Sequence, residues 1–511
     1  MFAALSRRRV TPPDVLLGLD IGTTALKGVV LDPERGIVGV AQREYANLSP
    51  GPACSEADPE DWRRSALEVI PAVCAAAGID PKLVTAIGIA GCVPCLVVLD
   101  EHEQPLRNAL LYNDGRAALE IRELREELGE AAVIARTGAA VTQQSIGPKL
   151  RWLMRHEPAV IDRARRICGS YDWLGSQFAG SAYSERNWAL ESGLYDVGAA
   201  CFAPDLVAAA GWDLERLAPI HDPADVVGHL VPSVAESTGL SAGIPVVAGL
   251  ADHVASAFGA GLSAPGDLLI KLGGSVDILC ATDRPLFDAR MYLDAHPNPG
   301  VWLPNGCMAT GGSAIRWFQR EFAGGAPLSE LDAEAALVAA GADGVVILPY
   351  FLGEKTPLND PLASGAILGL GLRHTRGHVF RALLESFGYG LRHHLEVLAE
   401  HGFSPQRARV TNGGASSWLW KQVVADVTGL VLEPVVDHPG SALGAAFAAG
   451  RGSGVFSAWS DIDRFVTVGE PVCPDLSTRT VYEQRYLAYR DAYTPLRPTF
   501  DALYPREEYN G

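Results

Sequence analysis

The chain has 511 residues, 48% of them hydrophobic, with charges of both signs and a formal net charge of −18. That length exceeds one core and predicts at least two domains, and the composition excludes a disordered polymer. The acidic balance argues against a nucleic-acid partner, whose footprint would be basic, and no run approaches the ~18 apolar residues of a membrane span. Nine cysteines, an odd number spread over a long chain, predict reduced thiols and a cytoplasmic location.

Residues 1–13 carry a basic cluster with no apolar run behind it, so they read as a disordered arm rather than a secretory signal. VLLGLDIGTTALKGVVLD, residues 15–32, reads as two apolar strands around the polar tip Asp20-Ile21-Gly22-Thr23-Thr24. TAIGIAG and CLVVLD are short β-rich runs. Cys92 and Cys95 in GCVPCLVV have C-x-x-C spacing, but no second pair completes a zinc site and no helix follows. They read as buried or pocket-lining thiols. RAALEIRELREELGEAAVIART is an amphipathic helix closed by Gly138. GIPVVAGLADHVASAFGAG goes strand, turn, helix, with Asp252 at the turn. PGDLLIKLGGSVDILC, residues 265–280, repeats the hairpin pattern with the tip Gly273-Gly274-Ser275. The small-residue stretch before it suits a hinge, which predicts domains at 14–260 and 261–511, the second ending in the helix VYEQRYLAYRDAYTPL. Alternating strands and helices make the fold class α/β.

No segment supplies a P-loop, and GAGLSAPG at 259–266 follows a helix rather than a strand, which rejects a dinucleotide fingerprint. The hairpin tips remain. Each is either a structural turn or an anion nest in which glycine lets backbone N–H groups approach a phosphate. In the second reading Gly22, Thr23 and Thr24 donate, Asp20 holds Mg²⁺ through water, and Gly273, Gly274 and Ser275 face the same anion across a cleft.

GLDIGTTALKGVVL and IKLGGSVDI resemble the two phosphate hairpins of the hexokinase–actin–chaperone superfamily. Other segments resemble one branch, the FGGY carbohydrate kinases. GAILGLGLRHTRGHVFRALLE, residues 365–385, is similar to that family's C-terminal signature from Gly365 and Gly369 through His378 to Glu385. PKLRWLMRHEP resembles its N-terminal signature around Lys149 and Trp152, although Ile146 stands where the family has a small hydroxylated residue or Pro. LPYFLGEKTP and NGGASSWLWKQVVADVTG resemble further family blocks, so the likeness runs from about residue 15 to 450.

The resemblance implies two actin-like (ribonuclease H-like) domains, each a mixed β-sheet flanked by helices, with an active-site cleft between them. It implies ATP-dependent, Mg²⁺-assisted phosphorylation of a small sugar such as the ketopentose D-xylulose, with another polyol or a sugar acid as the alternative substrate. A chaperone- or actin-like ATPase would need a further peptide-binding or polymer-forming segment, and none is evident after residue 450. Asp252 matches the family's catalytic base and a second Mg²⁺ carboxylate; as a bare motif it equally suits an N-cap. Gly413, Gly414 and Ser417 match the ATP block, with Trp420 and Gln422 along the adenine side, and Asn412 replaces the family's third glycine. One of Trp418 and Trp420 must face the core, since i, i+2 positions do not share a helix face. Lys27 is either a structural lysine or a phosphate contact.

LLYNDGRA is similar to the D-xylulose kinases of the family, which implies that Asp114 takes sugar hydroxyls while Arg116 braces the loop. Cys92, Val93 and Pro94 stand where those kinases have sugar-contacting Gln-Met-His, and His253 stands where they have Asn or Gln. His253 would bond a sugar hydroxyl or serve the structure alone. A homodimer is suggested only by the resemblance.

Overall fold

The computed structural model describes residues 14–51, 53–438 and 440–503, and the arm at 1–13 lies outside them. The chain forms two α/β units. Described residues up to 259, those of 295–299 and those of 439–465 make the first; 260–294, 300–438 and the described residues from 466 make the second.

In the first unit the apolar runs build one mixed sheet. Its strands lie in the order Val226–His229, Pro245–Val247, Val84–Gly91, Val15–Ile21, Ala25–Asp32 and Gly36–Glu44, and the short Leu250–Ala251 also pairs with Val84–Gly91. Val15–Ile21 runs parallel to Val84–Gly91 and antiparallel to Ala25–Asp32. Helices cover both faces, which is why Leu16, Leu17, Leu19 and Ile21 form an unbroken buried run. Pro59–Ala77 lies on one face, started by Asp58, whose side chain accepts the N–H of Glu60. On the other face lies Ser441–Gly452, two-thirds alanine and glycine. A Cβ at Gly18 would sit 2.0 Å from the Ala442 carbonyl oxygen, and one at Gly88 would sit 2.0 Å from that of Ala445. Only bare backbone fits there. Gly444 of the same helix lies against helix Asp252–Gly259, where an added Cβ would meet the Ala255 oxygen at 2.4 Å.

This contact corrects the expected second domain at 261–511: the segment carrying Ser441–Gly452 belongs to the first unit, because the surfaces that fit it are there. A second correction concerns the charge-laced helix. It is two helices, Ala118–Leu128 and Glu130–Thr137, because Gly129 takes φ 76° and its N–H closes the first on Arg125.

The second unit repeats the plan. Its strands lie in the order Tyr292–Ala295, Trp302–Met308, Val276–Cys280, Leu268–Leu272, Arg407–Thr411, Val431–Val436 and Thr467–Val468. Again a hairpin's first strand, Leu268–Leu272, is parallel to an inner neighbour and antiparallel to its own partner. Helix Arg376–Glu400 carries the buried Glu385, whose Oε1 accepts Arg381 Nε at 2.8 Å, Gly341 N–H at 2.9 Å and the Tyr482 hydroxyl at 3.1 Å. Tyr482 belongs to the last helix, Arg479–Leu503, so this carboxylate ties that helix to the core. Among the described residues no helix is long and apolar enough to cross a membrane.

Gly88→Ala will therefore destabilise the protein by about 2 kcal/mol, the scale of core overpacking, as read from the urea midpoint at constant m.

Candidate active site

Three strands of the first unit end side by side. Ile21 is level with Gly91, and Gly91 with Ala251, all in parallel register. The next residues, Gly22, Cys92 and Asp252, therefore emerge in a row at the carboxyl edge, where open α/β sheets bind ligands. Asp252 stands two strand spacings from the hairpin tip, roughly 10 Å.

The tip is held from several sides. Gly22 N–H donates to the Ala25 carbonyl at 3.0 Å, closing the turn over Thr23 and Thr24. Tyr45 donates its hydroxyl to the Gly22 carbonyl and its N–H to that of Thr24. Cys92 N–H donates to the Ile21 carbonyl at 2.9 Å, tying the neighbouring loop to the hairpin. Asp20 and Lys27 are opposite each other in the hairpin register.

Cys92, Val93 and Pro94 pack as a nearly closed wall, with Cys92 and Val93 at 2% and 6% exposure. Ser170 Oγ donates to the Cys92 carbonyl at 2.8 Å, and the Cys92 and Cys95 sulfurs are 3.3 Å apart. Contact with Cys95, then burial, then the Cys95 and Asp252 charges hold the Cys92 thiol well above the ordinary cysteine range. The Cys92 thiol therefore stays protonated, and both sulfurs are buried.

Asp252 opens helix Asp252–Gly259 with its carboxylate one-third exposed. Its Oδ1 accepts the N–H of the adjacent His253 at 2.6 Å, whereas an N-cap would serve the residue two or three further on. The His253 ring lies between Asp252, 3.4 Å from Nδ1, and Glu191, 3.8 Å from Nε2. Glu191 ends helix Arg186–Glu191, which starts on Glu185, acceptor for the Asn187 N–H at 2.9 Å and the Tyr171 hydroxyl at 2.7 Å. Burial pushes the Glu185 carboxyl up to about 7.

Asp114 corrects an expectation. It is 1% exposed, and its oxygens already accept Arg116 Nε and Nη2, both at 2.8 Å, Ser55 N–H at 2.7 Å and Arg116 N–H at 3.3 Å. A carboxylate has about four acceptor sites, so none is left for a sugar hydroxyl, and Asp114 is a loop anchor. Arg116 also reaches Glu56 at 2.7 Å and lies over Trp152, 4.9 Å from the ring centroid. Lys149 is fully buried beneath, donating to the Leu111 carbonyl at 2.9 Å, and burial lowers its ammonium to about 8.

The second unit holds a cavity of about 1000 Å³. Gly273 and Gly274 line it together with Asn412, Gly413, Gly414 and Ser417, so two motifs far apart in sequence meet at one hole. Asn412 keeps the backbone of the missing glycine, with φ 70°. Added Cβ atoms at Gly274 and Gly413 would meet open space, leaving the backbone there accessible to a ligand. Ser417 caps helix Trp418–Thr428 by accepting the Trp420 N–H, and donates its hydroxyl to Asp332 at 2.8 Å. Trp420 is core and Trp418 is 58% exposed on the wall. One expectation is corrected here: Gln422 bonds Asp426 and the Cys473 carbonyl outside the wall. The Ser275 hydroxyl at the hairpin tip lies 3.3 Å from Asp277. Gly312, Ser313, Arg316 and Asp332 are among the other lining residues and were not read from the sequence. The Gly-Gly-Ser at 311–313, a second copy of that at 273–275, was the available signal.

A model of the FGGY family of carbohydrate kinases, N-terminal domain, matches residues 15–259, and one of its C-terminal domain matches 268–453. The chain belongs to the FGGY family of carbohydrate kinases. It is an enzyme, a kinase that phosphorylates a sugar, with the two-domain α/β fold of that family. Among its relatives, the xylulose kinase of Escherichia coli (strain K12) is 30% identical over 94% of this chain and 99% of its own. The L-xylulose/3-keto-L-gulonate kinase of the same organism is 30% identical over 94% and 97%. The crystal structure of xylulose kinase from Rhodospirillum rubrum is 41% identical, with a TM-score of 0.92 over 95% of this chain and 99% of that one.

Two outcomes follow from this geometry. Gly274→Val will project a branched side chain into the cavity and weaken nucleotide binding at least tenfold by calorimetry, with an unchanged melting temperature. Glu185 keeps its proton in the folded state to about pH 7 and loses it near 4.5 when unfolded, so its burial costs stability as pH rises through that window. Glu185→Gln will flatten the fall in urea midpoint between pH 4.5 and 7.

Proposed function

We propose that this kinase transfers the γ-phosphate of ATP to a primary hydroxyl of a ketopentose, D-xylulose. The alignment of Asp252 with Gly22 and Cys92 at one sheet edge carries the reading, since it sets a carboxylate beside a phosphate-type turn and a small-molecule wall. The names of the E. coli and R. rubrum relatives support the choice of sugar.

Asp252 is the base: its partly exposed carboxylate accepts a hydrogen bond from the attacking hydroxyl and orients that oxygen. The transition state of phosphoryl transfer is loose, so the remaining groups mostly position and neutralise. Thr23 and Thr24 donate to the transferred phosphate from the turn that the Gly22 N–H closes on Ala25, which corrects the expectation that Gly22 itself donates, and Gly273 and Gly274 hold the nucleotide's phosphates at the cavity mouth. Gly413, Gly414 and Ser417 support the nucleoside. Asp20 and Asp252, carboxylates near the ends of strands in one sheet, suit Mg²⁺ held through water, and the ion would neutralise phosphate charge. On the sugar side Cys92, Val93 and Pro94 supply an apolar wall, so recognition of hydroxyls falls to Asp252 and the His253–Glu191 pair.

Asp252→Asn will lower kcat by at least a hundredfold, the scale of a lost general base, while the Kd for ADP stays within twofold. A panel of D-xylulose, L-xylulose, 3-keto-L-gulonate and glycerol in an ATP-consumption assay will give the highest kcat/KM for D-xylulose. A higher value for the acid or the triol overturns the sugar assignment; near-normal turnover of Asp252→Asn overturns the base.

A further inference from the structure

We propose that Asp332 reads the base of the bound nucleotide, accepting a hydrogen bond from the amino group on its edge, which makes it a specificity-determining residue for an amino-bearing purine. The inference rests on the cavity of the second unit being the nucleotide site. Asp332 lies in helix Leu328–Ala336, lines that cavity and is 8% exposed. Its Oδ2 accepts the Ser417 hydroxyl at 2.8 Å; among the described residues the other oxygen accepts no hydrogen bond and no cation pairs with the group. That oxygen is left to the cavity, where a ligand donor adds a hydrogen bond that the protein itself does not supply. Burial also raises the carboxyl above the ordinary aspartate range, which the Ser417 hydroxyl only partly offsets.

The ligand group that meets Asp332 follows from charge. Phosphates are repelled by a carboxylate and are drawn to the glycine turn at Gly273 and Gly274 and to the Arg316 guanidinium, so the triphosphate occupies that stretch of the wall. Around Asp332 the wall instead offers Leu328 and the exposed ring of Trp418, flat apolar surfaces that suit a base. The edge of adenine carries an N–H donor on its 6-amino group, which matches a carboxylate oxygen that can only accept.

Calorimetric titration with ADP and with purine riboside 5′-diphosphate, which has hydrogen in place of the 6-amino group, tests this without turnover. The wild-type protein will bind ADP at least about tenfold more tightly than the analogue, the lower end of the range for a hydrogen bond to a charged group. Asp332→Ala will weaken ADP to the level of the analogue, and Asp332→Leu, which keeps the volume, repeats the test if the alanine variant loses its thermal transition. Asp332→Asn will retain the preference, because its amide N–H can turn to the Ser417 oxygen and leave a carbonyl for the base. Equal affinities in the wild type, or a preference that survives both apolar variants, overturn the assignment. If Gly274→Val leaves ADP affinity unchanged, the nucleotide reading of the cavity itself fails; if it weakens ADP while the two diphosphates bind the wild type equally, only the role of Asp332 fails.

Discussion

Helix Ser441–Gly452 meets the sheet of the first unit backbone to backbone, with no side chain between them at Gly18 and Gly88. Gly444 brings the same helix against Asp252–Gly259, so one small-residue helix is held between the sheet and the helix that opens with Asp252. Interiors of this density do not deform gradually, since a single methyl group at the seam has no space to enter. The height and angle of the Asp252 helix over the strand ends therefore depend on three glycines, none of which touches a ligand. The strand register sets the row of Gly22, Cys92 and Asp252, and that contact seats the helix that begins there.

The two units use one strand plan for different chemistry. In the first, the carboxyl edge carries side-chain oxygens: Asp20, the threonines and Asp252. In the second, the cavity wall is mostly glycine, serine and apolar side chains, with Arg316 and Asp332 its charged residues. The contrast suits a reaction in which one partner is an uncharged polyol that needs deprotonation and the other is an anion that needs donors. The C-terminal signature lends Phe380 and Leu384 to the cavity wall, while its polar positions serve the fold. Glu385 gathers Arg381, Gly341 and Tyr482, and His378 accepts the Thr375 N–H to cap its helix, so those positions encode folding of the second unit.

Local pattern revealed the elements whose chemistry is local. Both hairpins, the strand leading to Asp252 and the last helix were legible because apolar periodicity and glycine-rich tips are written in consecutive residues. The partner of Gly18 was not legible, since nothing in GLDIG says that a helix more than four hundred residues later will lie on it. Asp114 misled for a related reason: its type suits a hydroxyl ligand, but only coordinates reveal that Arg116 and Ser55 fill its lone pairs. Gly129 was hidden inside a strongly amphipathic run because one left-handed residue breaks a helix without altering its hydrophobic spacing. Asp332 had no signal at all, since a carboxylate within an ordinary helical sequence becomes a cavity wall only through packing.

The late position of Ser441–Gly452 has a consequence for synthesis. The sheet it covers begins at Val15, yet the covering helix leaves the ribosome after nearly the whole second unit has been translated. Until then the nascent first unit carries an uncovered face of Leu, Ile and Gly backbone, with the slow, long-range closure that high contact order entails. A chain stalled or cleaved before residue 440 would hold most of its residues and still lack a finished first unit, making it a natural client for chaperone capture or proteolysis.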